Sequence, residues 1–118
     1  YDLGDCFRSC CNVSGEAGNS KVRFDLEIFE AVLDGYFLEA AASLTRADLD
    51  YIYTATWLLP YELGTRFLTD HLKGDLYFKV SRRGENLERA LRQFELVRDI
   101  EQKQTRIEQV IEAAWARV

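Results

Sequence analysis

From Phe24 onward the apolar residues Phe24, Ile28, Phe29, Val32, Leu33, Tyr36, Phe37 and Ala40 recur at intervals of three and four. That period predicts a helix of about 20 residues with one face buried. Gly35, inside it, predicts a place where a neighbouring helix comes close. Thr45-Arg46-Ala47-Asp48 reads as a variant capping box opening a second helix, carried by Leu49, Ile52, Tyr53, Thr56 and Trp57. Pro60 should end or kink that helix. The apolar run resumes at Tyr61, Leu63, Phe67, Leu68 and Leu72 and meets a stop and turn at Lys73-Gly74-Asp75. Tyr77-Phe78-Lys79-Val80 has the look of a strand but no hairpin partner, so it is expected as an extended link or a helical turn. From Asn86 to near Trp115 a stripe of Leu87, Leu91, Phe94, Val97, Ile100, Ile107, Val110, Ile111 and Ala114 faces one way, and charged residues at ion-pairing spacings face the other. This predicts one helix of about 40 Å laid across a bundle. Upstream, Gly4-Asp5 makes a cap-like start to a brief helix, and the stretch from Val13 to Ser20 reads as a surface loop. The expected fold is all-α, a packing of four to five helices.

A length of 118 residues is one domain's worth, or a piece of something larger. With 15 Lys and Arg against 20 Asp and Glu the net charge is -5, which argues against nucleic acid or an anionic membrane surface as partner. No apolar run approaches the ~18 residues of a membrane span. Met is absent, including at position 1, so the chain is expected to be cut from a longer protein. The three cysteines, Cys6, Cys10 and Cys11, make poor disulfide arithmetic and are expected to be small buried thiols in a reducing cytoplasm, with redox or metal chemistry as the alternative. The Asn12-Val13-Ser14 sequon lacks the leader that would make it a glycosylation site and is treated as chance.

Phosphate-binding glycine motifs, a zincin His-Glu pair, a nucleophile elbow and a sulfatase-type Cys-x-Pro-x-Arg string are all absent from the chain. His71 is the sole histidine and has no cysteine near it in sequence, so neither a metal site nor a self-contained catalytic set is expected. Two polar clusters stand out. The first is Asp2-Leu3-Gly4-Asp5-Cys6-Phe7-Arg8, where Asp5 caps a helix and Arg8 pairs with an acid. The second runs from Gly64 to Lys79. Within it Arg66, flanked by apolar residues, needs a carboxylate or a polyol ligand if it is buried, and Asp70 is a candidate partner.

The string from Arg66-Phe67-Leu68-Thr69-Asp70 to Gly74-Asp75-Leu76-Tyr77-Phe78-Lys79, with Tyr1-Asp2-Leu3-Gly4-Asp5, Ser20-Lys21-Val22 leading into Phe24-Asp25-Leu26-Glu27, and Asn86-Leu87-Glu88-Arg89, resembles the C-terminal part of N-acetylhexosamine 1-kinases. These belong to the aminoglycoside phosphotransferase and choline kinase-like family, and the likeness runs over nearly the whole chain. It implies that residues 1–118 are the helical, substrate-facing subdomain of a protein-kinase-like large lobe. The ATP-binding lobe, the catalytic loop and the magnesium-binding aspartate would lie upstream, so no catalytic residue is expected in the chain itself. It also implies that Arg66 and Tyr77 contact the sugar, that Asp2 and Asp5 brace the catalytic loop, and that ATP and Mg2+ serve the parent enzyme. Some relatives carry a mucin-desulfating label, but this chain supplies no nucleophile for sulfate ester cleavage. From the residues alone, Arg66 is either a ligand contact or a structural ion pair, and Tyr77 either a contact or plain packing. The rival reading is a stand-alone helical interaction module that binds a partner, or itself as a dimer, through the Leu87 to Ala114 face.

Overall fold

The computed structural model describes residues 6–8, 10–12 and 22–118. They are almost entirely helical, and the only β pairing among them is an isolated antiparallel bridge between Asn12 and Phe24. Residues 6–8 and 10 are helical. Then follow α1 (Leu26–Ala40), a 3-10 turn (Ala41–Ser43), α2 (Arg46–Leu72), α3 (Glu85–Gln102) and α4 (Gln104–Ala116). The all-α expectation holds.

α1 begins later than its apolar period suggested. Asp25 is its N-cap, accepting the Ile28 N–H at 3.0 Å. Phe24 precedes the helix, and its N–H donates to Asp99 Oδ2 at 2.6 Å. One face of α1 then buries Phe29, Leu33 and Phe37. Phe29 meets Phe7 edge-on at 4.6 Å between ring centres, and Phe37 meets Trp115 at 5.3 Å. These rings, with Leu49, Ile52, Ile100, Ile107 and Ile111, form the main core. Of the three cysteines only Cys11 is in it. Cys6 is half-buried and Cys10 exposed, so the expectation of three buried thiols is corrected.

The capping box at α2 forms as read: Thr45 Oγ1 accepts the Asp48 N–H, and Asp48 Oδ2 accepts the Thr45 N–H at 2.8 Å. Pro60 does not end the helix. It lacks the N–H that would bond the Thr56 carbonyl, a defect of about 3 kcal/mol in a helix interior. Tertiary packing offsets it, because Leu49, Ile52, Thr56, Pro60, Gly64, Phe67 and Asp70 are buried along one continuous face that crosses the proline. The close helix approach is also displaced from where it was expected. A Cβ on Gly35 would meet nothing within 4 Å, whereas one on Gly64 would lie 2.7 Å from the Phe94 ring of α3.

The predicted single helix from Asn86 is two. It breaks at Lys103, with neither Gly nor Pro at the break. There Lys103 Nζ donates to the Phe24 carbonyl at 2.8 Å and to Asp99 at 2.7 Å, while Asp99 receives the Phe24 N–H. The change of direction lets Ile100 and Ile107, on either side, both be fully buried. Local propensity carries no trace of this break, because a long-range contact makes it.

Gln93 of α3 is fully buried, and among the described residues neither its Oε1 nor its Nε2 has a partner. An unpartnered buried amide opposes folding. Gln93→Met, of similar shape, is expected to raise stability by about 1 kcal/mol in urea unfolding, with an unchanged m-value.

Candidate functional site

α2 ends at Leu72, capped by Lys73, and the chain leaves it at Gly74, whose φ of 92° only glycine adopts without strain. The Gly74 N–H bonds the His71 carbonyl and the Asp75 N–H bonds the Asp70 carbonyl at 2.8 Å, a Schellman arrangement that turns the chain out of the helix. The chain runs as an irregular link from there to Gly84, so Tyr77 to Val80 is the extended link and not a strand.

One buried carboxylate organises that link. Asp70 Oδ1 accepts the Tyr77 N–H at 2.7 Å, and Oδ2 accepts the Phe78 N–H and the Asn86 side-chain amide, both at 2.9 Å. Burial pushes the Asp70 carboxyl up, but the N–H groups of Phe78, Tyr77 and Leu76 and the Asn86 amide outweigh it and hold it below its ordinary value. Asn86, itself fully buried, gives its amide also to Asp75 at 3.0 Å and accepts from Arg89 at 3.1 Å. Arg89 reaches on to the Lys79 carbonyl at 3.1 Å and to Glu85 at 2.7 Å. The backbone of residues 77 to 79 is therefore tied to both helices.

This anchoring presents two side chains to solvent next to one another. The Arg66 guanidinium lies 5.6 Å from the centre of the Tyr77 ring and 5.7 Å from that of Phe78. Its Nη2 is 3.5 Å from the Tyr77 hydroxyl, the long limit of a hydrogen bond, so the ring faces carry most of the pairing. Arg66 and Tyr77, with Thr69, Asp70, Lys73 and Phe78, line a cavity of about 310 Å³. Both Asp70 oxygens are already spent on the link, so the chemistry left to the cavity is two cations, two hydroxyls and two ring faces. Such a set donates hydrogen bonds to oxygen-rich or anionic groups and stacks on an apolar face.

The two site residues singled out in the sequence thus come together, although Arg66 is exposed and does not pair with Asp70. Asp2 and Asp5 lie outside the described residues. Thr69, Lys73 and Phe78 were not foreseen as lining residues. The positions 66, 69, 70 and 73 share one helical face, a spacing from which the first two were recoverable. Nothing in the sequence marks Asn86 as the partner of Asp70.

Larger concavities lie elsewhere. A groove of about 710 Å³ between α2 and α4 includes Arg46 and Glu112, which pair bidentately, with Asp50 also on Arg46, so its strongest charges neutralise each other. Another, of about 700 Å³, lies beside His71 and Arg83. Among the described residues no group of three or more His, Cys, Asp or Glu is placed to hold a metal ion. They do not fit a nucleotide-bound magnesium, because the one buried carboxylate near the cavity is saturated by N–H donors. No helix among them is long and apolar enough to cross a membrane. No protein-family model matches the chain.

Proposed function

We propose that this chain is the substrate-facing helical portion of a cytoplasmic, ATP- and magnesium-dependent kinase that phosphorylates an N-acetylhexosamine or a related sugar at its anomeric hydroxyl. The observation that carries the reading is the meeting of Arg66 and Tyr77, 11 residues apart, at a cavity in which the guanidinium has ring faces and a hydroxyl as its neighbours. Arg66 offers a rigid fork of donors to sugar oxygens, and Tyr77 offers a ring face and a hydroxyl. The cavity volume of about 310 Å³ suits one small ligand. On this reading the ATP, the magnesium and the base that accepts the hydroxyl proton belong to a preceding stretch of polypeptide, and the residues of this chain bind and orient the sugar.

The interaction-module reading has less in its favour. Val97, Ile100, Ile107, Ile111 and Ala114 of its proposed contact stripe are buried within the chain, which leaves Leu91, 52% exposed, as the main apolar member on offer.

Arg66→Ala in the longer protein that the proposal requires is expected to lower kcat/KM for the sugar by about tenfold, with the KM for ATP little changed. Steady-state kinetics with each substrate varied in turn checks it, and an unaltered sugar dependence removes Arg66 from the site. The 118-residue chain alone is expected to show no rise in melting temperature with ATP and Mg2+ in a thermal-shift titration. A clear rise would place nucleotide binding within this chain and overturn that part of the reading.

A further inference from the structure

The proposed function makes no use of the cysteines, and two of them are arranged for chemistry. Cys6 and Cys10 lie one helical turn apart with their Sγ atoms 3.7 Å from each other. At that spacing the Cα atoms are about 6 Å apart, inside the span of roughly 4.4 to 6.8 Å that a disulfide bridges, and the turn has to tighten by about 1 Å to bring the Cβ atoms within reach of one. The turn that carries them is tethered on its other side. Phe7 is fully buried against Phe29, Cys11 is fully buried, and the Cys11 carbonyl accepts the Asp25 N–H at 2.8 Å. Cys10 is exposed and Cys6 half-buried, so a small reagent in solvent meets Cys10 first.

We propose that Cys6 and Cys10 form a dithiol modification site whose reagent is a small-molecule disulfide of the oxidised-glutathione class. The Cys10 thiolate attacks one sulfur of the reagent, its S–S bond breaks, and one small thiolate leaves. The Cys6 thiolate then attacks the Cys10 sulfur of the mixed disulfide and expels the second small thiolate. The two protons shed by the protein thiols go to the two leaving thiolates, and two electrons pass from the dithiol to the reagent. Closure is favoured because the second sulfur is already in contact with the first. Cys11 stays out of the exchange. Burial, with the neighbouring Cys10, Cys6 and Asp25, pushes its thiol up to about 12, which leaves almost no thiolate at neutral pH.

The test is incubation of the folded chain with excess oxidised glutathione, read by intact mass and by peptide mapping after trapping of remaining thiols. Wild type is expected to lose two hydrogens, retain no glutathione and show a Cys6 to Cys10 link, with Cys11 trapped as a thiol. Cys6→Ser should instead accumulate one glutathione on Cys10, and Cys11→Ala should close as wild type does. A lasting glutathione adduct on the wild type, a bridge that includes Cys11, or cross-linked chains would each overturn the proposal.

Discussion

Asp70→Asn is expected to lower the melting temperature by about 5 to 10 °C and to release the link from residue 76 to residue 80. The carboxylate oxygens accept three N–H groups at 2.7 to 2.9 Å, from Tyr77, Phe78 and Asn86. An amide in the same place keeps one acceptor oxygen and turns an NH2 group, a donor, toward donors that were bonded. Two consequences separate this from general weakening. Amide exchange at Tyr77 and Phe78 should quicken more than in the core helices, which hydrogen-exchange measurements resolve. The Tyr77 ring should also lose its fixed place beside Arg66, so in the proposed kinase the sugar dependence should worsen with the melting temperature held well above the assay temperature.

The same carboxylate sets the sign of a pH effect. Its folded value lies below the ordinary 3.8, so its contribution to stability is complete above that value and is lost as the pH falls through the folded value beneath it. Glu85, held down first by the Ser81 N–H and hydroxyl, and Glu112, held down by Arg46, act in the same direction. Melting temperature followed from neutral pH downward should be flat to about pH 5 and then fall. The fall should be shallower in Asp70→Asn. A stability that rises on acidification would contradict the anchoring role.

Gly64→Leu is expected to destabilise the chain by about 2 kcal/mol through forced separation of α2 and α3. Even a Cβ at position 64 would lie 2.7, 3.0 and 3.1 Å from three atoms of the Phe94 ring, and that ring also faces Tyr61 at 6.2 Å between ring centres. A single methyl is a gentler case, because Ala regains up to about 1 kcal/mol of helix propensity while the ring shifts, so Gly64→Ala should be near neutral. Combining Gly64→Leu with Phe94→Ala should recover part of the loss in a double-mutant cycle measured by urea unfolding. Simple additivity would show that the ring is not what the glycine makes room for.

The contrast between Gly64 and Gly35 shows why parts of this fold were legible and others were not. Both glycines interrupt apolar helical periods, but the period drew attention only to Gly35 as a close approach. Only Gly64 faces another helix, a matter of which faces meet and not of any local pattern. Thr45 and Asp48 were readable because a capping box closes within four residues. The Lys103 break was not, because its cause is the Phe24 backbone, 79 residues away.

The candidate site divides along the same line. Arg66 and Tyr77 were picked out through resemblance, and helical spacing alone places Thr69, Asp70 and Lys73 on the Arg66 face. That Asp70 serves the link and leaves Arg66 to the ring faces emerges only once the link folds back over α2.

By itself the sequence determined the helical class, part of each buried face (Phe29, Leu33 and Phe37 in α1, but not Ile28 or Tyr36, both 37% exposed), the capping box and the stop at Gly74, since hydrophobic period, capping and turn chemistry act over one or two turns of chain. Tertiary structure alone decided that α2 continues through Pro60, that the last helix breaks at Lys103, and that Asp70 and Asn86 hold Tyr77 beside Arg66. These outcomes balance a local preference of a few kcal/mol against burial and hydrogen bonds supplied by residues distant in the chain, and that balance exists only when the distant residues are in place.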